Sequence, residues 1–183
     1  MLGEILLSAG QRQSAIASMR TAIAQNPDND GWLYSLGKLL HQNGADKEAI
    51  TILQRALAIA DKPDYSHALG RAFIAVGNLK NAAKSFEIAL KGRPLAHHWR
   101  ADLADVHMKR GWLKEALVVI DHALEVDDSR PALWRKRAEI SLAGNQLEAA
   151  SNDIREALRR DSDDVKSLIL FSQILHRKGY HQH

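Results

Sequence analysis

Small residues return at a nearly constant interval along this chain, and that recurrence limits the possible folds more than any other property. A Leu-Gly pair occurs at Leu2-Gly3, Leu36-Gly37 and Leu69-Gly70, then weakens to Leu103-Ala104, Arg137-Ala138 and Phe171-Ser172. Successive pairs lie 34 residues apart, with one interval of 33. A second glycine follows at Gly10, Gly44, Gly77, Gly111, Gly144 and Gly179. Alanines come next, at Ala15, Ala49, Ala82, Ala116 and Ala150, and again at Ala22, Ala56, Ala89, Ala123 and Ala157. A period near 34 with two small residues and a bulky one between them predicts stacked helical repeats. No segment shows the alternation of a strand, so the expected class is all-α, a solenoid of antiparallel helix pairs.

Punctuation agrees with that period. Asn26-Pro27-Asp28 ends a helix, because proline cannot donate to the preceding turn and restricts the residue before it. Asp30 is the expected N-cap of the next helix. Asn43-Gly44 suits a left-handed C-cap. The single deletion is expected in the connection around Asp61-Lys62-Pro63, where a loop absorbs it. Pro131 opens a helix in its first turn, where the missing N–H is harmless. A final helix is expected from about Asp163 to Lys178. Gly37, Gly70 and Ala104 should let paired helices approach closely, with Leu53, Phe86 and Ile120 filling the wedge between a repeat and its neighbour.

These residues resemble the tetratricopeptide repeat family over nearly the whole chain. The resemblance implies one array over residues 1–183. Its repeats would run over about 1–29 (incomplete at the front), 30–62, 63–96, 97–130 and 131–164, with a lone terminal helix at 165–179. Arg137 and Ser141 depart from the family pattern, which usually has leucine and a large residue there. Gly144 arrives one residue early and leaves Asn145 at the turn. The family implies a right-handed superhelix whose concave surface is lined by the first helix of each repeat. Carried onto this sequence, that surface presents Tyr34, Lys38, His41, His67, Arg71, His98, Asp102, Asp105, Lys109, Arg135 and Glu139. Several pairs are spaced i, i+4 and share a face. The expectation is a groove that is basic in repeats two and three and mixed in four and five. It would accept a segment of an acidic protein or peptide. The residues needed for a chaperone-tail clamp, and the asparagine ladder of sugar transferases, are missing.

Other chemistries find less support. The formal charge of +3 bears on solubility rather than on nucleic acid. Arg135, Lys136 and Arg137 point about 100° apart on a helix and form no single basic stripe, so nucleic acid is disfavoured. Without cysteine there are no disulfides or thiolate metal sites. His98, Asp102 and Asp105 share a helical face, yet nothing in the spacing supplies convergent metal geometry, and no cofactor is expected. Phosphate-cradling loops, nucleophile elbows and HExxH patterns are absent, so the chain reads as a non-catalytic scaffold. The alternative is a repeat segment of a larger enzyme, for example a transferase, that positions substrate or joins subunits. His107 falls at an inward position. Trp112, in a turn where Leu113 makes the inward contact, is either a turn residue or a binding anchor. Neither a basic, apolar leader nor a membrane-length apolar run occurs, which suggests a cytoplasmic setting away from membranes. Leu2, Ile5 and Leu6 at the front and Leu168, Phe171 and Leu175 at the back lack covering helices. That suggests an excised segment, and would allow self-association through the end helices.

Overall fold

The structure is a computed structural model, and it describes residues 9–179. The expectations for Leu2, Gly3, Ile5 and Leu6 lie outside the described residues. Ten helices follow in order: α1 (Ala9–Gln25), α2 (Asp30–Gln42), α3 (Asp46–Ile59), α4 (Pro63–Ala75), α5 (Leu79–Gly92), α6 (His97–Lys109), α7 (Leu113–Val126), α8 (Pro131–Ala143), α9 (Leu147–Arg160) and α10 (Val165–Arg177). The described residues hold no strand, which gives the all-α repeat architecture. None of these helices is long and apolar enough to cross a membrane. The fold divides into two compact units, one ending at Arg93 and one beginning at Pro94.

Turn chemistry sets the helix boundaries. Gly44, Gly77 and Gly111 take φ of +78°, +75° and +76°, a region glycine enters without a Cβ clash. The next residue then bonds back across the helix end: Ala45 N–H to Leu40 O at 2.9 Å, Asn78 to Phe73 at 2.9 Å, and Trp112 to His107 at 2.8 Å. This is the bonding of a Schellman close. After α8 the left-handed residue is Asn145 at φ 57°, and Gln146 bonds to Ser141 O at 2.8 Å. The early glycine therefore shifts the turn's demand onto asparagine, which tolerates it better than most residues. The connection between α3 and α4 has three residues, 60–62, and each connection from a later repeat has four, so the deletion falls there.

One boundary differs from expectation. The N-cap of α2 is Asn29, whose side chain accepts the Trp32 N–H at 2.9 Å. Asp30 is already helical, and its carboxylate is engaged elsewhere. Pro63 and Pro131 occupy the first turns of α4 and α8.

In the first unit the core is Leu33, Leu36, Leu40, Ala49, Leu53 and Ala56, continued by Leu69, Ala72, Phe73, Ala82, Phe86 and Ala89. Each fully buried leucine contributes about 1.5–3 kcal/mol of transfer free energy. A Cβ on Gly37 would lie 2.6 Å from Leu53, and one on Gly70 would lie 2.6 Å from Phe86. The bulky residue thus presses on the glycine of its own repeat, and Ile120 also shares a cluster with Leu133 and Ile140 of the next repeat, in keeping with the expected wedge. In the second unit Ala104 shares a cluster with Ile120, and Ala138 with Ile154. An alanine needs a slimmer partner than phenylalanine, so the two positions change together.

Candidate functional site

The first helices of consecutive repeats carry the predicted residues, and the two units use them differently. In the first unit Tyr34 and Lys38 stand one turn apart on α2. The Tyr34 ring stacks on Tyr65 of α4 with centroids 4.5 Å apart, and the Lys38 ammonium lies 5.2 Å from the Tyr34 centroid. Tyr65 is anchored from below: its hydroxyl donates to Asp30 Oδ2 at 2.6 Å, and the Lys62 ammonium reaches the same oxygen at 2.5 Å. Hydrogen bonds from Lys62 and Tyr65 hold the Asp30 carboxyl below its usual range. The Asp30 carboxylate in turn raises Lys62, while burial, helped by Asp30, raises Tyr65.

Other members of the set have other roles. His41 Nδ1 lies 2.5 Å from Asp46 Oδ1, tying the end of α2 to the start of α3. His67 stands against the Phe86 ring, 5.2 Å between centroids, beside the Gly70 approach. Lys38 and Arg71 are exposed, and among the described residues neither forms an ion pair. The acids near this face are already neutralised, Asp30 by Lys62 and Asp64 by Arg93 at 2.8 Å. The face on α2 and α4 is therefore cationic, with a rigid aromatic floor.

In the second unit the cations of α8 are paired internally. Lys136 bonds Asp105 at 2.8 Å and also Glu139, bridging α6 and α8. Burial opposes the charge on Lys136, but the two carboxylates raise its pKa overall. Arg135 pairs with Asp164 at the start of α10, and Asp164 also accepts the Ser167 hydroxyl at 2.5 Å. The Ser167 bond and the Arg135 charge together depress Asp164. Arg137 reaches Asp121 of α7 and Asp153 of α9, both at 2.6 Å. Asp153 is 3% exposed, and burial raises its pKa despite the arginine. The three consecutive cations thus serve three separate sets of acids, five carboxylates in all, as their helical spread requires.

The rest of the predicted set lies on α6. His98 meets Trp99 edge-on, 5.7 Å between centroids, Asp102 is half-buried, and Lys109 is exposed at the end of α6. No group of three or more histidines and acids among the described residues is arranged to hold a metal ion. His107 is buried, and its ring lies nearly parallel to Trp112. Leu168 is exposed on α10, while Phe171 packs against the last core cluster. Sequence reasoning missed Tyr65, Asp30, Lys62, Lys136 and Asp164. Their signal is a cation and an acid separated by nearly one repeat. Arg20–Glu48, Asp30–Lys62, Asp64–Arg93, Asp128–Arg160, Arg135–Asp164 and Glu148–Lys178 span 28 to 32 residues.

Comparison with known proteins agrees with this architecture. Two family profiles, both described as tetratricopeptide repeat, match residues 6–72 and 67–132. Cellulose synthase operon protein C of Xanthomonas axonopodis pv. citri (strain 306) is 27% identical over 158 residues, 81% of this chain, and the chain spans 10% of that protein's length. A tetratricopeptide repeat protein from Parabacteroides merdae superposes with a TM-score of 0.83 at 16% identity, covering 93% of this chain and 68% of that one. YrrB, described as a TPR protein with an unusual peptide-binding site, superposes with a TM-score of 0.75 at 19% identity, covering 96% and 88%. The period, the paired helices and the matching profiles establish that this chain belongs to the tetratricopeptide repeat family.

Proposed function

We propose that this chain is a non-catalytic binding module, and that the first-helix face of its first unit takes an extended acidic segment of a protein partner. One observation carries the reading. Lys38 is exposed beside the Tyr34–Tyr65 stack and Arg71 is exposed farther along α4, and among the described residues neither pairs with a carboxylate, whereas Arg135 and Lys136 at the related helix of the second unit are neutralised internally. Unneutralised cations next to a rigid aromatic surface select acidic side chains, and the rings supply apolar contact at little entropic cost. The likeness to YrrB, a protein described as having a peptide-binding site, supports a peptide ligand.

The test is a titration of a labelled acidic peptide by fluorescence anisotropy. Lys38→Glu/Arg71→Glu should weaken binding about tenfold or more, a loss of about 1.4 kcal/mol. Arg135→Glu should change stability and leave the affinity of the first unit intact. Parent-like affinity in the first variant removes the reading. A second reading places the array within a larger enzyme, where it positions substrate or joins subunits. The likeness to one-tenth of a much longer protein favours it, and a catalytic domain in the complete reading frame would support it.

A further inference from the structure

The α6–α7 turn holds a feature that the first-helix face does not use. We propose that this turn is a second docking point, for an acidic polypeptide segment carrying an apolar side chain, with Trp112 as its anchor. At the residue after the left-handed position, the other described turns within a repeat place Ala45, Asn78 and Gln146. Only here is that residue a tryptophan, and its side chain is 44% exposed. The core does not require it, because Leu113 makes the inward contact, packing against the cluster of Ala104, Ala116 and Ile120.

The indole is nevertheless held in place. The Arg110 guanidinium lies 3.4 Å from its centroid, and the ring of buried His107 lies nearly parallel at 5.9 Å. An aromatic side chain fixed before its partner arrives loses little freedom on binding, and tryptophan and arginine are the residues most enriched at binding hot spots. The surrounding charge specifies the partner. Lys109, Arg110 and Lys114 lie at or beside the same turn, and among the described residues none of them forms an ion pair. Glu115 is the one acid beside them in sequence. The corresponding turn before α3 carries Asp46 and Glu48, and that before α9 carries Glu148. An exposed indole capped by Arg110 and flanked in sequence by the exposed Lys109 and Lys114 complements an acidic segment with an apolar residue. Single-stranded nucleic acid fits less well, since base stacking uses successive aromatic platforms and Trp112 is the one exposed aromatic at this turn.

The experiment is an NMR titration of the whole chain in which the Trp112 indole N–H is followed. The probes are a short peptide of aspartate and glutamate with one central leucine, an oligothymidine and phosphatidylserine vesicles. The acidic peptide should move the Trp112 resonance saturably and leave that of buried Trp99 in place. Trp112→Ala and Lys109→Glu/Lys114→Glu should each weaken this response or the peptide affinity about fivefold or more. These changed side chains are exposed, and circular dichroism checks that both variants fold. The effect should persist in the Lys38→Glu/Arg71→Glu background, so failure of the first-unit site and of this one are read separately. Parent-like affinity in both turn variants, or tighter binding of the oligothymidine or the vesicles than of the peptide, overturns the proposal.

Discussion

Replacing Arg137 with leucine restores the residue type that Leu36, Leu69 and Leu103 place at the same point of their repeats, yet it should destabilise this protein. Those leucines are buried among apolar neighbours, whereas Arg137 faces Asp153. The Asp153 side chain is 5% exposed, Arg137 33% and Asp121 45%. A second oxygen of Asp153, Oδ2, is buried without a hydrogen-bond donor. Removing the arginine leaves Asp121 to water at little cost but strands Asp153. Breaking a buried pair costs about 3–5 kcal/mol, and the partial exposure of Arg137 puts this case near the lower end, about 3 kcal/mol. Arg137→Leu/Asp153→Leu, with no charge left inside, should return to within about 1 kcal/mol of the parent or exceed it. With Asp153→Leu alone costing little, because Arg137 keeps Asp121, the implied coupling is about 2 kcal/mol, within the range for contacting residues. Urea unfolding of the four proteins of this cycle measures it. Asp153 already has a raised pKa in the fold, and losing Arg137 raises it further. A raised carboxyl binds its proton more tightly when folded, so the Arg137→Leu deficit should shrink as pH falls through that value. A single mutant as stable as the parent, or a deficit that does not change with pH, would refute the reasoning.

Further outcomes follow from other contacts. Gly70→Ala should cost about 1–3 kcal/mol by overpacking against Phe86, and Phe86→Ile in the same chain should recover much of it, as the Ala104–Ile120 and Ala138–Ile154 pairs imply; thermal melts decide. Asn145→Val should cost about 1–2 kcal/mol because a β-branched residue is forced to positive φ, while Asn145→Gly should be neutral or stabilising. Bonds from Ser129 and then Arg130 hold Asp127 at about 2, below its ordinary 3.8. Its support for the α7–α8 turn is therefore full above the ordinary value and disappears as pH falls toward the depressed one. Carboxyl NMR titration should place its midpoint near the lower figure, and Asp127→Asn should abolish that acid-dependent change in the turn.

Much of the fold was legible because its determinants are local or strictly periodic. Gly44, Gly77 and Gly111 announce left-handed turns, the offset of Gly144 assigns that conformation to Asn145, and the deletion falls in the loop that can absorb it. The site was less legible. Spacing along one helix shows that Arg135 and Glu139 share a face, but not that Asp164 holds the first and Lys136 the second. Those partners come from the next repeat or from a neighbouring row of the same helix, and an i, i+4 reading omits both. Asp30 misled for a related reason: its type suits a cap, but Asn29 takes that role and frees the carboxylate for Tyr65 and Lys62.

The paired charges spaced by nearly one repeat act as stitches along each unit. Every stitch contributes little by itself and is weakened by added salt. In a linear array, however, it is adhesion between adjacent modules that makes them melt together. Concentrated salt should therefore blunt the sharpness of melting within a unit more than it lowers the midpoint, and the outermost helices should loosen first.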